Sequence, residues 1–291
     1  MLFLHVLVIL GAVSFGSSQN CCQPNTNLTA PLNQLQAIRV ACQPRFTSPC
    51  KWTVTAPPGA VIGVEITSAT IEYPSIVETK NDAGSILNTV YGEGIFTELK
   101  AAGTFFTIEI DPSGLSGPET GEEVLVFKYV ASIPTDTATA CGNPPGETIE
   151  LDMFGGGKKC ISSPNFPNRH DNDAHCTWTI ESAYGIGFNV VFFYLEDWST
   201  DDIYCYDPVK INGEAKEYCA RSLHSTSRTN QISPVVVDFT TDFSVTLPGF
   251  LICFETLESD NDDVIIDTVF PLAAVFVAFS LLFHFFDTFP M

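Results

Sequence analysis

Basic residues are scarce in this chain. Lys and Arg together number 13 against 34 Asp and Glu, which gives a formal net charge of −21. Such a surface repels nucleic acid and anionic lipid headgroups, and it favours cationic partners or divalent ions. Histidine is scarce too: outside the hydrophobic ends only His170, His175 and His224 occur. There is no His-Glu-x-x-His and no Gly-x-Ser-x-Gly. An extracellular hydrolase is therefore the least supported reading, and the chain is expected not to be an enzyme. Gly155-Gly156-Gly157-Lys158-Lys159 lacks the Ser or Thr and the following helix of a phosphate-binding loop, and reads as a flexible turn. His170 and His175 flank Asp171-Asn172-Asp173, but Cys176 beside them is expected to be oxidised, which argues against a soft-metal site. Between the termini no segment sustains a helical period over three turns.

The two ends are apolar. Leu2 to Phe15 leads into Gly16, Ser17 and Ser18, the pattern of a secretory signal peptide over residues 1–18, although no Lys or Arg precedes the apolar run. From Val264 to Phe286 the only strongly polar side chains are Asp267, Thr268, Ser280 and His284, and no Lys or Arg follows Arg228. A spanning helix normally keeps basic residues on its cytoplasmic side. Ser259-Asp260-Asn261-Asp262-Asp263 lies upstream. Small polar residues, a spacer and an apolar tail in that order match a glycolipid (GPI) attachment signal. Asn261 or Ser259 is then the attachment residue, within a polar stalk at 258–268 that precedes a hydrophobic tail at 269–291. A single-pass C-terminal span is the alternative. Either would place the chain on the extracellular face of the plasma membrane.

Ten cysteines in a secreted chain imply disulfides. Four precede residue 51 (Cys21, Cys22, Cys42 and Cys50) and six follow residue 140 (Cys141, Cys160, Cys176, Cys205, Cys219 and Cys253), so each half can pair within itself. Asn27-Leu28-Thr29 is the only N-glycosylation sequon. Two globular segments, 21–132 and 141–257, flank a short polar linker at 133–140. They share a local repeat: Cys50-Lys51-Trp52-Thr53-Val54 matches Cys176-Thr177-Trp178-Thr179-Ile180, and a Gly and an apolar strand follow in both. This suggests two copies of one fold. Strand candidates are Lys51–Thr55, Val61–Thr67, Thr104–Ile110, Glu123–Val130, Thr177–Glu181, Gly187–Leu195, Val209–Ile211, Val235–Thr240 and Gly249–Thr256. Trp178 and Ile180 share one face of their strand, as Trp52 and Val54 share one face of theirs, and both pairs are expected to point inward.

Several motifs follow one another in the second segment. They are Ser163-Pro164-Asn165-Phe166-Pro167, Cys176-Thr177-Trp178, Tyr206-Asp207-Pro208-Val209-Lys210-Ile211, Tyr218-Cys219, Phe239-Thr240-Thr241-Asp242-Phe243-Ser244 and Gly249-Phe250. Their order and spacing resemble a CUB domain, an extracellular module that binds rather than catalyses. The resemblance implies an all-β chain of two jelly-roll-like antiparallel β-sandwiches in tandem. It implies a Cys205–Cys219 disulfide, closing a loop worth roughly 3 kcal/mol. For the other four cysteines two solutions stay open: Cys141–Cys176 with Cys160–Cys253, or Cys160–Cys176 with Cys141–Cys253.

The resemblance also implies a calcium site carried by Glu196, Asp207 and Asp242, since hard calcium takes six to eight oxygens. Three departures from the family pattern bear on it. One residue rather than two separates Cys205 from Asp207, the loop after Glu196 is long and adds Asp197, Asp201 and Asp202, and His170 stands where a tyrosine is usual. The first segment keeps Cys50-x-Trp52 but lacks the second cysteine pair and the Asp-x-Ser…Gly-Phe ending. It resembles the divergent CUB-like domains of nematode surface and secreted proteins, and is expected to hold no metal. The implied function is non-catalytic recognition or adhesion at the cell surface, with calcium-dependent binding of a protein or glycan ligand as an expectation and with no nucleic acid. The alternative is an innate-immune effector or receptor-like protein that binds microbial or matrix ligands.

Overall fold

Two successive runs of strands make up the described part of the chain. The computed structural model describes residues 26–42, 49–71, 76–94, 97–111, 123–141, 146–152, 157–197, 205–212, 216–223 and 226–257. The first run is β1 (Thr26–Thr29), β2 (Gln36–Cys42), β3 (Cys50–Thr55), β4 (Val61–Ile71), β5 (Ile76–Asn81), β6 (Ile86–Val90), β7 (Gly92–Glu93), β8 (Lys100–Ala101), β9 (Phe105–Asp111) and β10 (Glu123–Ser132). A short helix, α1 (Thr137–Cys141), falls in the segment read as a linker. The second run is β11 (Glu147–Glu150), β12 (Lys159–Ser162), β13 (His175–Glu181), β14 (Ile186–Tyr194), β15 (Val209–Ile211), β16 (Ser227–Gln231), β17 (Val235–Thr240) and β18 (Gly249–Thr256). The segment read as a signal peptide, the stalk with Ser259 and Asn261, and the hydrophobic tail lie outside the described residues. Among the described residues no helix is long and apolar enough to cross a membrane.

Each run folds into two facing sheets. The first run gives the order β1-β3-β9-β5-β6 against β2-β10-β4-β7, with β8 also paired to β4. The second gives β11-β13-β17-β15 against β12-β18-β14-β16. Both are β-sandwiches, and the repeat seen at Cys50 and Cys176 extends to the strand order. One sheet of each sandwich is mixed and the other antiparallel, because β1 pairs parallel to β3 and β11 parallel to β13. In each case the chain enters one sheet, crosses to the other and returns, so the first strand meets the third in the same direction.

Alternation sets the cores. Cys50, Trp52 and Val54 of β3 are buried while Lys51 and Thr55 are exposed. Cys176, Trp178 and Ile180 of β13 repeat the pattern. Trp52 sits 6.4 Å from Phe127 in the first core. In the second core Phe250 is the hub, with Trp178 at 5.8 Å, Phe239 at 5.2 Å and Phe193 at 6.2 Å between ring centroids. Gly249, just before this hub, has φ +88°, and a Cβ there would lie 1.8 Å from Ser163 Oγ. That hydroxyl is needed: it accepts the Phe250 N–H at 3.1 Å and donates to the Pro248 carbonyl at 3.3 Å. Glycine is the residue that fits both constraints.

A third cluster joins the sandwiches. Leu99 and Val130 of the first pack with Phe166, Val191, Phe192, Leu251 and Cys253 of the second. Phe166 and Phe192 stand 5.6 Å apart and are fully buried. A Cβ on Gly63 would come within 2.8 Å of Leu99 and 2.9 Å of Pro167, so the missing side chain lets the second sandwich approach β4. Charges border the contact. Arg169 pairs with Glu98 at 2.8 Å and Arg221 with the buried Glu65 at 3.3 Å.

Candidate functional site

The site lies at the end of the second sandwich where β13 begins and β17 finishes. Glu196 follows β14, Asp207 precedes β15 and Asp242 follows β17. One oxygen from each of the three carboxylates lies within 4.8 Å of the others. The turn 165–174 fastens this end to the segment 240–248. Ala174 N–H donates to Thr241 Oγ1 at 2.8 Å, Asp173 N–H to the Asp242 carbonyl at 2.8 Å, and His170 N–H to the Leu247 carbonyl at 3.0 Å.

Asp207 is the most constrained of the three. Its side chain is 1% exposed. Oδ1 accepts the Asp242 N–H at 3.0 Å, whereas Oδ2 is buried without a hydrogen-bond partner. His170 Nε2 stands 3.3 Å from Oδ2, but Nε2 already accepts the Leu247 N–H at 3.2 Å. Nδ1 lies 3.2 Å from the Asp171 carbonyl. This network places the proton on Nδ1, so His170 offers Asp207 no donor. Glu196 Oε2 is likewise buried and unpartnered. Burial, then the neighbouring Asp207 and Asp242 carboxylates, push the Glu196 carboxyl above its ordinary value. Asp242 is half-buried, and its Oδ1 takes the Ser244 N–H at 2.7 Å and the Ser244 hydroxyl at 2.8 Å. Crowded acids with orphaned buried oxygens call for a cation. An all-oxygen set of three carboxylates suits calcium and does not suit zinc.

The remaining candidates are placed as follows. The structure forms Cys141–Cys176, Cys160–Cys253 and Cys205–Cys219, with Cα–Cα distances of 4.1, 4.0 and 5.6 Å. Cys160 and Cys253 are directly paired across β12 and β18, on the face turned to the first sandwich. Cys50 is also disulfide-bonded, Cys42 ends β2, and among the described residues no cysteine is free. Asn27 is exposed on β1, at the edge of its sheet. Asp197 forms an isolated bridge with Cys205, while Asp201 and Asp202 lie outside the described residues. The sequence shows His170 as a departure from the family pattern and as a flank of the Asp171-Asn172-Asp173 loop, and neither reading anticipates its burial against Asp207. Its one signal was the position where the family carries tyrosine.

The CUB domain family model matches residues 153–254 of this chain. Blastula protease 10 of Paracentrotus lividus is 25% identical over 237 residues, covering 72% of this chain and 39% of that protein. Zinc metalloproteinase nas-39 of Caenorhabditis elegans is 34% identical over 107 residues, covering 35% of this chain and 11% of that protein. The chain thus spans well under half the length of either relative. Among solved structures, the CUB1-EGF-CUB2 domains of rat MASP-1 align with 80% of this chain and 100% of that one, at 14% identity and a TM-score of 0.33. Residues 153–254 match a CUB domain, β11 just before them adds to its sheet, and β1 to β10 form a second CUB-like sandwich in tandem.

Proposed function

We propose that this chain is a non-catalytic extracellular recognition protein whose CUB domain grips its ligand through a calcium ion held by Glu196, Asp207 and Asp242. The observation that carries the reading is the orphaned Asp207 Oδ2, on a side chain 1% exposed and turned into a cluster of three acids. A buried carboxylate oxygen without a donor is costly, and a divalent ion there removes the cost. The sandwich presents this end by exclusion as well as by construction. β18 runs from Gly249, beside the acid cluster, to Thr256 at the opposite end. The chain therefore leaves the sandwich about 25 Å from the site, by the rise of a strand.

Calorimetry on the full chain tests the ion. Calcium is expected to bind at one site and to raise the melting temperature. Asp207→Asn and Asp242→Asn should each abolish binding, and Glu181→Gln at the other end should leave it intact. Unchanged binding in both site variants would place the ion elsewhere. For anchoring, phospholipase treatment of intact cells should release the protein, and retention would favour a spanning tail.

A further inference from the structure

An open edge strand can pair with another chain, and a charge, a bulge, a proline or extreme shortness blunts it. Among the described residues β2 carries Arg39, β12 Lys159 and β16 Arg228. β7, β8 and β15 are only two or three residues long. β6 is paired with a register shift, and Lys100 Nζ donates to its Leu87 carbonyl at 2.7 Å. β1 (Thr-Asn-Leu-Thr) has no charge, no proline and no bulge, and among the described residues it pairs with β3 alone. Its counterpart β11 holds the same place beside β13 at the same length, with exposed Glu147 and Glu150. Two β11 edges brought together would set the glutamates of both along one seam, which repels. Two β1 edges meet no such repulsion. An antiparallel register that keeps both outer faces on one side sets Leu28 against Leu28 and Asn27 against Thr29.

What β1 does have is the sequon Asn27-Leu28-Thr29. Strand alternation turns Asn27 and Thr29 outward together and Leu28 toward the first core. We propose that Asn27 carries an N-linked oligosaccharide whose task is to keep β1 from pairing with β1 of a second copy. The sugar stands at the free edge where β11 has its glutamates, and its bulk excludes an approaching strand. Unguarded, the edges would join two five-stranded sheets into one across a two-fold axis. In the modification the Asn27 amide nitrogen takes the anomeric carbon of a lipid diphosphate-linked oligosaccharide. The nitrogen–carbon bond forms, the sugar–phosphate bond breaks, and the amide proton leaves with the lipid diphosphate. This step belongs to the secretory route, so the proposal rests on the reading of the chain as extracellular.

The test uses the full chain made in animal cells and purified in mild detergent. Mass spectrometry should find an oligosaccharide on Asn27, and light scattering should find single copies. Asn27→Gln and Thr29→Ala each remove the acceptor without entering the core, because both side chains are exposed. Each should shift the chain to about twice its mass or more. Hydrogen exchange should place the new protection on β1 and leave β11 unchanged. Asn27→Lys also removes the acceptor, but it puts a charge on the edge and should remain a single copy. Association that Asn27→Lys does not suppress, or protection elsewhere than β1, overturns the proposal, as do single copies of Asn27→Gln and Thr29→Ala. If all three variants fail to fold, the sugar is a folding aid and the edge role is overturned. An unmodified Asn27 on a chain that reaches the cell surface overturns the proposal and leaves the extracellular reading standing. A chain retained in the cytoplasm overturns both.

Discussion

The two sandwiches share a strand order and differ at one end. In the second, Phe239 of β17 pairs with Cys176 and with Val209, and the site acids stand two residues before Val209 and three after Phe239. In the first, Ile110 of β9 pairs with Cys50 and with Val77 in the same way. Counting along the sequence, the positions matching Asp207 and Asp242 are Ser75 and Ser113, both outside the described residues. The scaffold therefore depends on the Cys-x-Trp strand and its register, and the acid cluster on a few loop residues that can be exchanged without touching the core. The second sandwich is also tied by three disulfides, one of which, Cys205–Cys219, has no counterpart in the first, since no cysteine lies between Cys50 and Cys141.

The comparison breaks most clearly at the shared cluster. Phe192 is fully buried there rather than in either sandwich core. Phe192→Ala should cost about 3–5 kcal/mol. It should also split a single calorimetric unfolding transition into two, one for each sandwich. A lowered but still single transition would show that the sandwiches are coupled by other contacts, of which the Arg221–Glu65 pair is the first to examine.

A smaller effect is expected from Cys205→Ser with Cys219→Ser. The bridge spans a separation of 14 residues, and its loss should cost about 3 kcal/mol. The loss should fall on the second sandwich alone and weaken calcium binding, because Cys205 stands two residues from Asp207. Hydrogen exchange should find the first sandwich unchanged. Equal loosening of both would mean that the differences between them do not matter to stability.

Much of this fold could be read in the sequence, for physical reasons that particular strands make plain. β3 and β13 alternate cleanly between buried and exposed residues, and periodicity finds such strands. β1 (Thr-Asn-Leu-Thr) and β11 (Glu-Thr-Ile-Glu) are short edge strands with no fully buried residue, so they carry almost no signal. The packing between the sandwiches was hidden differently. After Asn189, β14 reads as a continuous apolar run to Tyr194, and a run of that kind does not say which residues serve which face. A register shift between Val190 and Phe192 turns Val191 and Phe192 outward, toward the first sandwich. The acid cluster became legible only through family resemblance. Glu196, Asp207 and Asp242 come from three loops, and no local period links them.

The smallest expected effect sharpens the contrast between the outer faces. On the first sandwich, Glu109 of β9 pairs with Lys51 at 2.8 Å and with Lys80, which also meets Glu78 at 3.0 Å. On the second, Thr177 donates to Asp238 at 2.8 Å with no lysine in that contact. The hydrogen bonds from Lys51 and then Lys80 hold the Glu109 carboxyl below its ordinary 4.5. Those from Lys80 to Glu109 and then Glu78 hold the Lys80 ammonium above its ordinary 10.5. The glutamate contribution is fully present above its unfolded value, and it is lost as pH falls through the lowered folded value. The lysine contribution is fully present below its unfolded value, and it is lost as pH rises through the raised folded value. The pairs are partly exposed, so the network is worth about 1 kcal/mol or less. Glu109→Gln should lower stability by that amount at pH 7, and the difference from the unaltered chain should vanish in acid below the lowered carboxyl value. A loss that stays constant with pH would assign the effect to packing of the side-chain stem rather than to charge.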